Sequence, residues 1–373
     1  MTNSKKVKDK IKVGIIGCGA IAADKYLRSL RAIKEIEITA FCDILPENAK
    51  KVQAVFLAKA PDITCISSKT YTDYNELLRD EAVAAVHICT PNNSHAPISI
   101  AALCAGKHVL CEKPMATSYS DAKAMCEAAK KAGKLLSIGY QYRCNPAPLF
   151  LKQMCENGEL GEIYYAKAHG IRRRGVPTWG VFLSKEIQGG GPLIDIGTHA
   201  LDMTLWLMDN YKPKVVVGSV YQKLSDHPDC GNIFGPWNPD KYEVEDSAFA
   251  FITMKNGATV TLEASWALNT IDVHEGICTL CGTKAGADMK NGLCIVSDKN
   301  GRFTEMRPDF SDGAIEYAGG KVWLPEELEA RNFYDAVLYG CELRVRPEQA
   351  LVVTQILDAI YESAETGKAV YLD

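Results

Sequence analysis

Ile11-Lys12-Val13-Gly14-Ile15-Ile16-Gly17-Cys18-Gly19-Ala20-Ile21-Ala22 is a strand-length apolar run that breaks into a glycine turn and then into a helical pattern. The spacing G-x-G-x-x-A is that of a turn that receives a dinucleotide. Gly17 makes the tight turn, Gly19 lets the backbone approach a diphosphate, and the small Ala22 lets the next helix lie close to the strand. Ala20 and Ile21, between the second glycine and Ala22, are candidate cofactor contacts, and the helix predicted over 22–34 points its positive end at the phosphates. Glycines also make plain turns, so context decides. The next predicted strand, 36–42, ends at Asp43, about twenty residues past the turn. A carboxylate there accepts from both ribose hydroxyls and repels a 2′-phosphate, which favours NAD over NADP. The structural alternative is that Asp43 caps the helix starting near Pro46.

Further strand and helix patterns alternate beyond it. Strands are predicted over 64–67, 84–89 and 135–139, and helices over 74–78, 96–105 and 121–132. Between the last two helices Val109-Leu110-Cys111 is a buried strand that stops at Glu112-Lys113-Pro114, because proline has no N–H for a sheet ladder. Strands alternating with helices of ten or more residues indicate a doubly wound parallel sheet. The carboxyl ends of such strands border the ligand crevice. Lys113 is then either a surface ammonium or a group that chemistry requires.

The chain has 373 residues, 47% apolar and 24% charged, with a net charge of −4. Those values describe an ordinary globular protein of two domains. They give no electrostatic reason to expect a nucleic acid or an anionic membrane surface as partner. The polar, lysine-rich start is followed only by a strand-length apolar run, so neither a signal peptide nor a membrane span is predicted, and a cytoplasmic location is expected. The 14 cysteines are scattered through apolar runs and read as free thiols. Cys278-x-x-Cys281 lacks a second pair to complete a zinc site and sits in a strand-like pattern; no metal is expected.

After Tyr140-Gln141-Tyr142-Arg143 the pattern changes. A helix over 146–156 precedes strands over 162–171, 214–221, 247–254 and 258–266, the last two joined by Asn256-Gly257, a hairpin signal. Helices over 326–339 and 347–366 close the chain. The expected architecture is α/β plus α+β: a Rossmann domain over 1–140, and over 141–373 a domain built on a large, mostly antiparallel sheet. Its final helices are expected to pack back on the first domain. Alternating Val215, Val217, Phe249, Phe251, Val260 and Leu262 are expected on one open sheet face, which calls for a second copy of the chain.

Gly189-Gly190-Gly191-Pro192 leads into a helix predicted over 193–207, on which Asp195, His199 and Asp202 share a face at i, i+4 and i+7. Three readings stand: a structural hydrogen bond, two ligands of a metal, or an acid–base pair in which Asp195 orients His199 and raises its proton affinity.

Taken together, Gly17-x-Gly19-x-x-Ala22, Asp43, Thr90-Pro91-Asn92 with His95, and Glu112-Lys113-Pro114 resemble the Gfo/Idh/MocA oxidoreductases. Val244-Glu245-Asp246, Glu263-Ala264-Ser265-Trp266 and Ser363-Ala364-Glu365-Thr366-Gly367-Lys368 extend the resemblance over nearly the whole chain. The resemblance implies a catalytic constellation of Lys113, Asp195 and His199. It also implies a cofactor lining of Thr90, Asn92, His95 and Glu112; Gln141 and Arg143 are expected on the nicotinamide side. Arg172-Arg173-Arg174-Gly175-Val176-Pro177-Thr178-Trp179 is similar to a stretch in members that oxidise sugars and glycosides. A Trp face stacks on a pyranose and Arg bonds hydroxyls; Arg174, Trp179 and Tyr142 are the candidate substrate residues, with aromatic residues around 221–242 at the pocket mouth. The expected reaction is NAD-dependent oxidation of a ring secondary hydroxyl, C3 of a glucoside being preferred. The alternatives are a ketosugar reductase, a glycosidase that oxidises C3 transiently, and a nucleotide sensor without activity, which would normally lack Lys113 or His199.

Overall fold

The computed structural model describes residues 10–58, 68–229, 231–311, 315–317 and 321–372. Six strands in the first half, β1 (Ile11–Ile16), β2 (Ile36–Cys42), β3 (Lys69–Tyr71), β4 (Val83–Ile88), β5 (His108–Cys111) and β6 (Leu136–Ile138), pair in the order β3-β2-β1-β4-β5-β6. All five pairings are parallel. The strand order reverses between β1 and β4, so a crevice opens at their carboxyl ends, where β5 also stops. Val13, Ile15, Val86, Ile88, Val109 and Leu110 are buried, as strands covered on both faces require. The strand predicted over 64–67 lies outside the described residues. The helix predicted over 22–34 is shorter and irregular: a π turn, Ala22–Tyr26, runs into an α-helix, Leu27–Arg31. The π turn holds Lys25 and Tyr26 inward, where both bond Glu112.

The second sheet has nine strands. They are β7 (Ile163–Ile171), β8 (Pro213–Tyr221), β9 (Ser247–Met254), β10 (Thr259–Ser265), β11 (Glu275–Gly282), β12 (Ala285–Asp288), β13 (Cys294–Lys299), β14 (Arg302–Met306) and, after a small hairpin of β15 (Ile315–Tyr317) and β16 (Lys321–Trp323), β17 (Val370–Tyr371). Their order is β14-β13-β12-β11-β7-β10-β9-β8-β17, antiparallel except for β7 with β10. One face carries small side chains, among them Ala166, Ala168, Ala248 and Ala264, all fully buried. Helices can therefore lie close: a Cβ on Gly218 would come within 2.7 Å of Ile360 in helix Pro347–Thr366. Helix Thr198–Met208, on the same face, is buried all round from Thr198 to Leu207. Helix Pro325–Tyr339 turns back to the first sheet, where Leu328, Phe333 and Tyr334 share a core with Val13, Ile15, Tyr26 and Leu30.

Among the described residues no helix covers the other face, and two of the residues expected there belong elsewhere. Val217 pairs with Phe251 and Phe251 with Thr261, whereas Val260 pairs with Ile252 and Leu262 with Ala250. Side chains alternate strictly along a strand, so Val260 and Leu262 face the helices and are buried, while Val217 and Phe251 are 46% and 51% exposed.

Candidate active site

Lys113 leaves the end of β5 through a cis peptide bond to Pro114. Its ammonium donates to Asp195 twice, at 2.9 Å to the main-chain oxygen and 3.0 Å to Oδ1. The other carboxylate oxygen accepts from Trp266 Nε1 at 3.1 Å and lies 3.9 Å from the Arg172 guanidinium. Burial pushes the Asp195 carboxyl toward its neutral form. Lys113, Arg172 and Trp266 outweigh that and hold it below the usual carboxylate range.

Asp195 therefore orients Lys113 rather than His199, contrary to the expected acid–base pair. The helix there starts as a π turn, Leu193–Gly197, so the i, i+4 rule of an α-helix does not bring the two side chains together. His199 instead stacks on Tyr142, ring centroids 4.4 Å apart and planes at 18°, and its Nδ1 is buried without a hydrogen bond. Burial, then the charges of Lys113, Lys25 and Arg172, push its pKa well below the ordinary 6.5. The net shift is opposite to the rise in proton affinity expected from Asp195.

Three features build the helix that carries Asp195. Glu245 accepts from the main-chain N–H of Gly191 and Leu193, at 2.9 and 3.1 Å, and from the Tyr361 hydroxyl at 2.9 Å, satisfying N–H groups that a helix start leaves unpaired. Gly190 has no room for a side chain, since a Cβ would sit 1.9 Å from the Tyr361 hydroxyl. Trp266, at the end of β10, holds the carboxylate from the sheet side.

Lys113 and Asp195 line a cleft of about 170 Å³ with Ile21, Cys89, Thr90, Asn92, His95, Glu112, Phe182 and Gln188. A wider groove of about 1010 Å³, lined by Lys152, Trp206, Lys212 and Arg344 among others, contains none of the candidate residues. At the dinucleotide turn the two glycines do different work. Gly17 has φ 89°, and a Cβ on it would meet the Cys89 carbonyl carbon at 2.6 Å; a Cβ on Gly19 would meet nothing within 4 Å. Gly19, Ala20 and Ile21 are exposed, which leaves open ground for a diphosphate before the helix. Asp43 accepts from Cys18 N at 2.8 Å and caps the following helix start through Leu45 N at 2.9 Å. Asn48 Nδ2 donates to it as well, at 3.3 Å; a carboxylate has about four lone-pair sites, so capping still leaves room for a ribose hydroxyl. These residues fit NAD.

Several of the expected cofactor residues on the cleft wall also brace it. Both His95 ring nitrogens sit 2.8 Å from carbonyl oxygens, those of Pro114 and Thr90. Glu112 accepts from Lys25 at 2.7 Å, Tyr26 at 2.8 Å and the Lys113 N–H at 3.2 Å. Burial opposes its charge, and Lys25 with Tyr26 and Lys113 holds its pKa below the usual value. Lys25 also lies 2.8 Å from Glu329, whose carboxyl is raised by burial, and by Glu112, to about 7. Gln141 borders a separate recess with Asp24, Lys25 and Tyr142.

Arg143 is a correction. It is fully buried, paired at 2.8 and 2.6 Å with both oxygens of Asp202, and bonded to Gln349 and to the Arg344 carbonyl. Its donors are spent on the fold, so it reaches no cofactor. Arg174 bonds Asn269 at the surface; the arginine at the site is Arg172, which clasps Glu275 at 2.6 Å through two nitrogens. Trp179 is half-exposed in an aromatic cluster with Phe182 and Phe234, and of these Phe182 reaches the cleft. Trp237 and Tyr242, expected at the pocket mouth, are buried in a small core with Trp266. The sequence reading missed Lys25, Arg172, Glu245, Gln188 and Glu329 as site residues. A signal existed for Arg172: the alternation Ala166, Ala168, Gly170 continues to it on the buried face of β7.

A three-two-one-four-five-six parallel sheet, a dinucleotide turn that fits NAD and a lysine–carboxylate pair beside it define a two-unit nicotinamide-dependent oxidoreductase. Residues 11–140 match the family model for "Oxidoreductase family, NAD-binding Rossmann fold", and residues 152–372 match "Oxidoreductase family, C-terminal alpha/beta domain". The chain belongs to the Gfo/Idh/MocA oxidoreductase family. It is 35% identical over 363 residues, 97% of either chain, to D-glucoside 3-dehydrogenase of Escherichia coli (strain K12). It is 26% identical over 353 residues to levoglucosan dehydrogenase of Pseudarthrobacter phenanthrenivorans, covering 86% of this chain and 89% of that one. A solved levoglucosan dehydrogenase in complex with NADH and levoglucosan shares the fold, with a TM-score of 0.79 at 24% identity, over 97% of this chain and 99% of that one.

Proposed function

We propose that the protein oxidises a ring secondary hydroxyl of a glucoside, at C3, with NAD as the oxidant. The observation that carries this is the end-to-end similarity to a D-glucoside 3-dehydrogenase, joined to a lysine held beside the cofactor strands. Residues 1–140 are then the cofactor unit and 141–373 the unit for substrate and association.

Bound NAD supplies a hydride acceptor at the cleft. Lys113 spends two of its three N–H groups on Asp195, leaving one for the substrate oxygen. That bond fixes the reacting carbon and stabilises negative charge as it grows on the oxygen. Asp195, ionised and already bonded by Lys113 and Trp266, aims the lysine and is a poor base. His199, kept neutral by burial and by neighbouring cations, takes the hydroxyl proton. Tyr142, Arg172 and Phe182 shape the substrate side.

Two features support association and location. The open sheet face with Val217, Tyr221 and Phe251 suits a second copy of the chain. Twelve described cysteines are free thiols, which suits the cytoplasm; among the described residues no helix is long and apolar enough to cross a membrane.

The test is NADH formation with purified protein across alkyl and aryl glucosides, free glucose, 1,6-anhydro sugars and inositols. Glucosides are expected to give the highest kcat/KM, with a ketone at C3 by NMR. A higher kcat/KM on an inositol or an anhydro sugar would reassign the substrate. Aglycone release with no net NADH would point to transient oxidation instead.

A further inference from the structure

Two polar atoms beside the cleft are buried with no hydrogen bond: Gln188 Oε1 and Thr90 Oγ1. Gln188 ends the short helix Lys185–Gln188, is 7% exposed, and lines the cleft with Thr90, Asn92, Lys113 and Asp195. Its main chain is held from both sides. The N–H donates to Ser184 at 3.0 Å, and the carbonyl accepts from Asn92 Nδ2 at 3.0 Å across the seam between the two units. The next two residues are fixed as well: Gly189 has φ 81°, with Thr117 3.0 Å from where a Cβ would stand, and Gly190 is pressed on Tyr361. A side chain presented from so rigid a backbone, with its oxygen unpaired on the cleft wall, is placed to meet a ligand, because most buried polar groups are paired.

The ligand's chemistry follows from what faces Gln188. Thr90 and Asn92 follow β4, at the crevice where a dinucleotide crosses such a sheet. Asp43 and Gly19 mark the ribose and diphosphate end; Lys113 and Asp195 mark the end where chemistry occurs. Gln188 stands with the latter. A primary amide carries a donor and an acceptor side by side, so it pairs with another primary amide in either orientation. We propose that Gln188 recognises the carboxamide of the nicotinamide, with Thr90 Oγ1 on the same group, so that the second unit supplies part of the cofactor site. This rests on the NAD reading of the cleft.

The experiment compares binding of NADH and of ADP-ribose, which lacks the nicotinamide, by calorimetric titration of the full-length protein. Gln188→Leu and Thr90→Val are each expected to weaken NADH roughly three- to tenfold and to leave ADP-ribose unchanged. Gln188→Asn, with the amide kept but withdrawn by one methylene, is expected to lie between wild type and Gln188→Leu. Equal weakening of both ligands would overturn the proposal in favour of a structural role at the seam. Unchanged binding of both, with a rise confined to the KM of the sugar, would overturn it in favour of a substrate contact. Failure of the wild type to bind either ligand would instead remove the NAD reading on which the proposal stands.

Discussion

In the proposed mechanism Lys113 meets the substrate oxygen, and the residues around it determine how it behaves. Because two of its donors go to Asp195, replacing it with methionine removes both the substrate contact and the partner that keeps Asp195 charged. Lys113→Met is expected to lower kcat about 10²–10³-fold, the range for loss of a donor aimed at developing negative charge, measured by steady-state NADH formation. For His199 the sign of the pH effect is fixed by its environment. In the proposed mechanism its neutral form is the base, and burial with the nearby cations holds the pKa well below 6.5. Activity is therefore expected to hold as pH falls to the ordinary histidine range and to drop only below it. An acid limb centred at 6.5 or above would contradict the assignment, as would near-normal turnover in His199→Ala. Lys113, Asp195 and His199 could be proposed from the sequence because each sits in a compact motif, but the bond of Asp195 to Lys113 was not legible there. Lys25 and Glu329 were not, because the contacts that matter join residues some 300 positions apart, and nothing local to either residue marks them.

At the scale of one element, the segment from Gly189 to Met208 shows how a glycine run becomes a site. Gly190 admits Tyr361, Tyr361 holds Glu245, and Glu245 holds the start of the helix that carries Asp195. Gly190→Ala forces Tyr361 aside. It is expected to cost about 1–3 kcal/mol, as overpacking does, read from urea unfolding, and to lower kcat more than it raises the KM for NAD. Unchanged stability would mean that Tyr361 has room to move. The helix itself was legible from its apolar periodicity, but its π start was not, since periodicity carries no information on a turn widened by one residue. Central strands were read well because alternation is strong where one face is buried. The interior strand β12 and the edge strand β14 escaped: Ala285-Gly286-Ala287-Asp288 is nearly all small, and Arg302–Met306 is mostly exposed on both faces, so neither presents an amphipathic signal.

For the whole molecule, two buried or half-buried surfaces decide how the parts hold together. The first is the cluster of Lys25, Glu112 and Glu329, which ties the dinucleotide turn, the end of β5 and the returning helix Pro325–Tyr339. Glu329 is raised from 4.5 to about 7, so its contribution to stability is fully present below 4.5 and is lost as pH rises through 7. Glu329→Gln removes that titration. The melting temperature of the variant, relative to wild type, is expected to rise between about pH 5 and 8; a constant difference would exclude the effect. The second surface is the open sheet face. Its residue parity misled the sequence reading by one position, because the register of β10 against β9 is set by the length of the hairpin turn around Asn256-Gly257, which the alternation within each strand does not reveal. What remains exposed is still apolar: Val217, Tyr221 and Phe251, with Phe249 packed against Tyr221. If a second copy covers it, a charge there is costly in the assembly and tolerated in the monomer, which buries nothing at that point. Phe251→Glu is expected to shift the particle mass, by light scattering on a sizing column, to that of one chain while leaving the fold intact by circular dichroism. A wild type that is already monomeric at micromolar concentration, or a variant that keeps its assembly, would place the contact elsewhere on the chain.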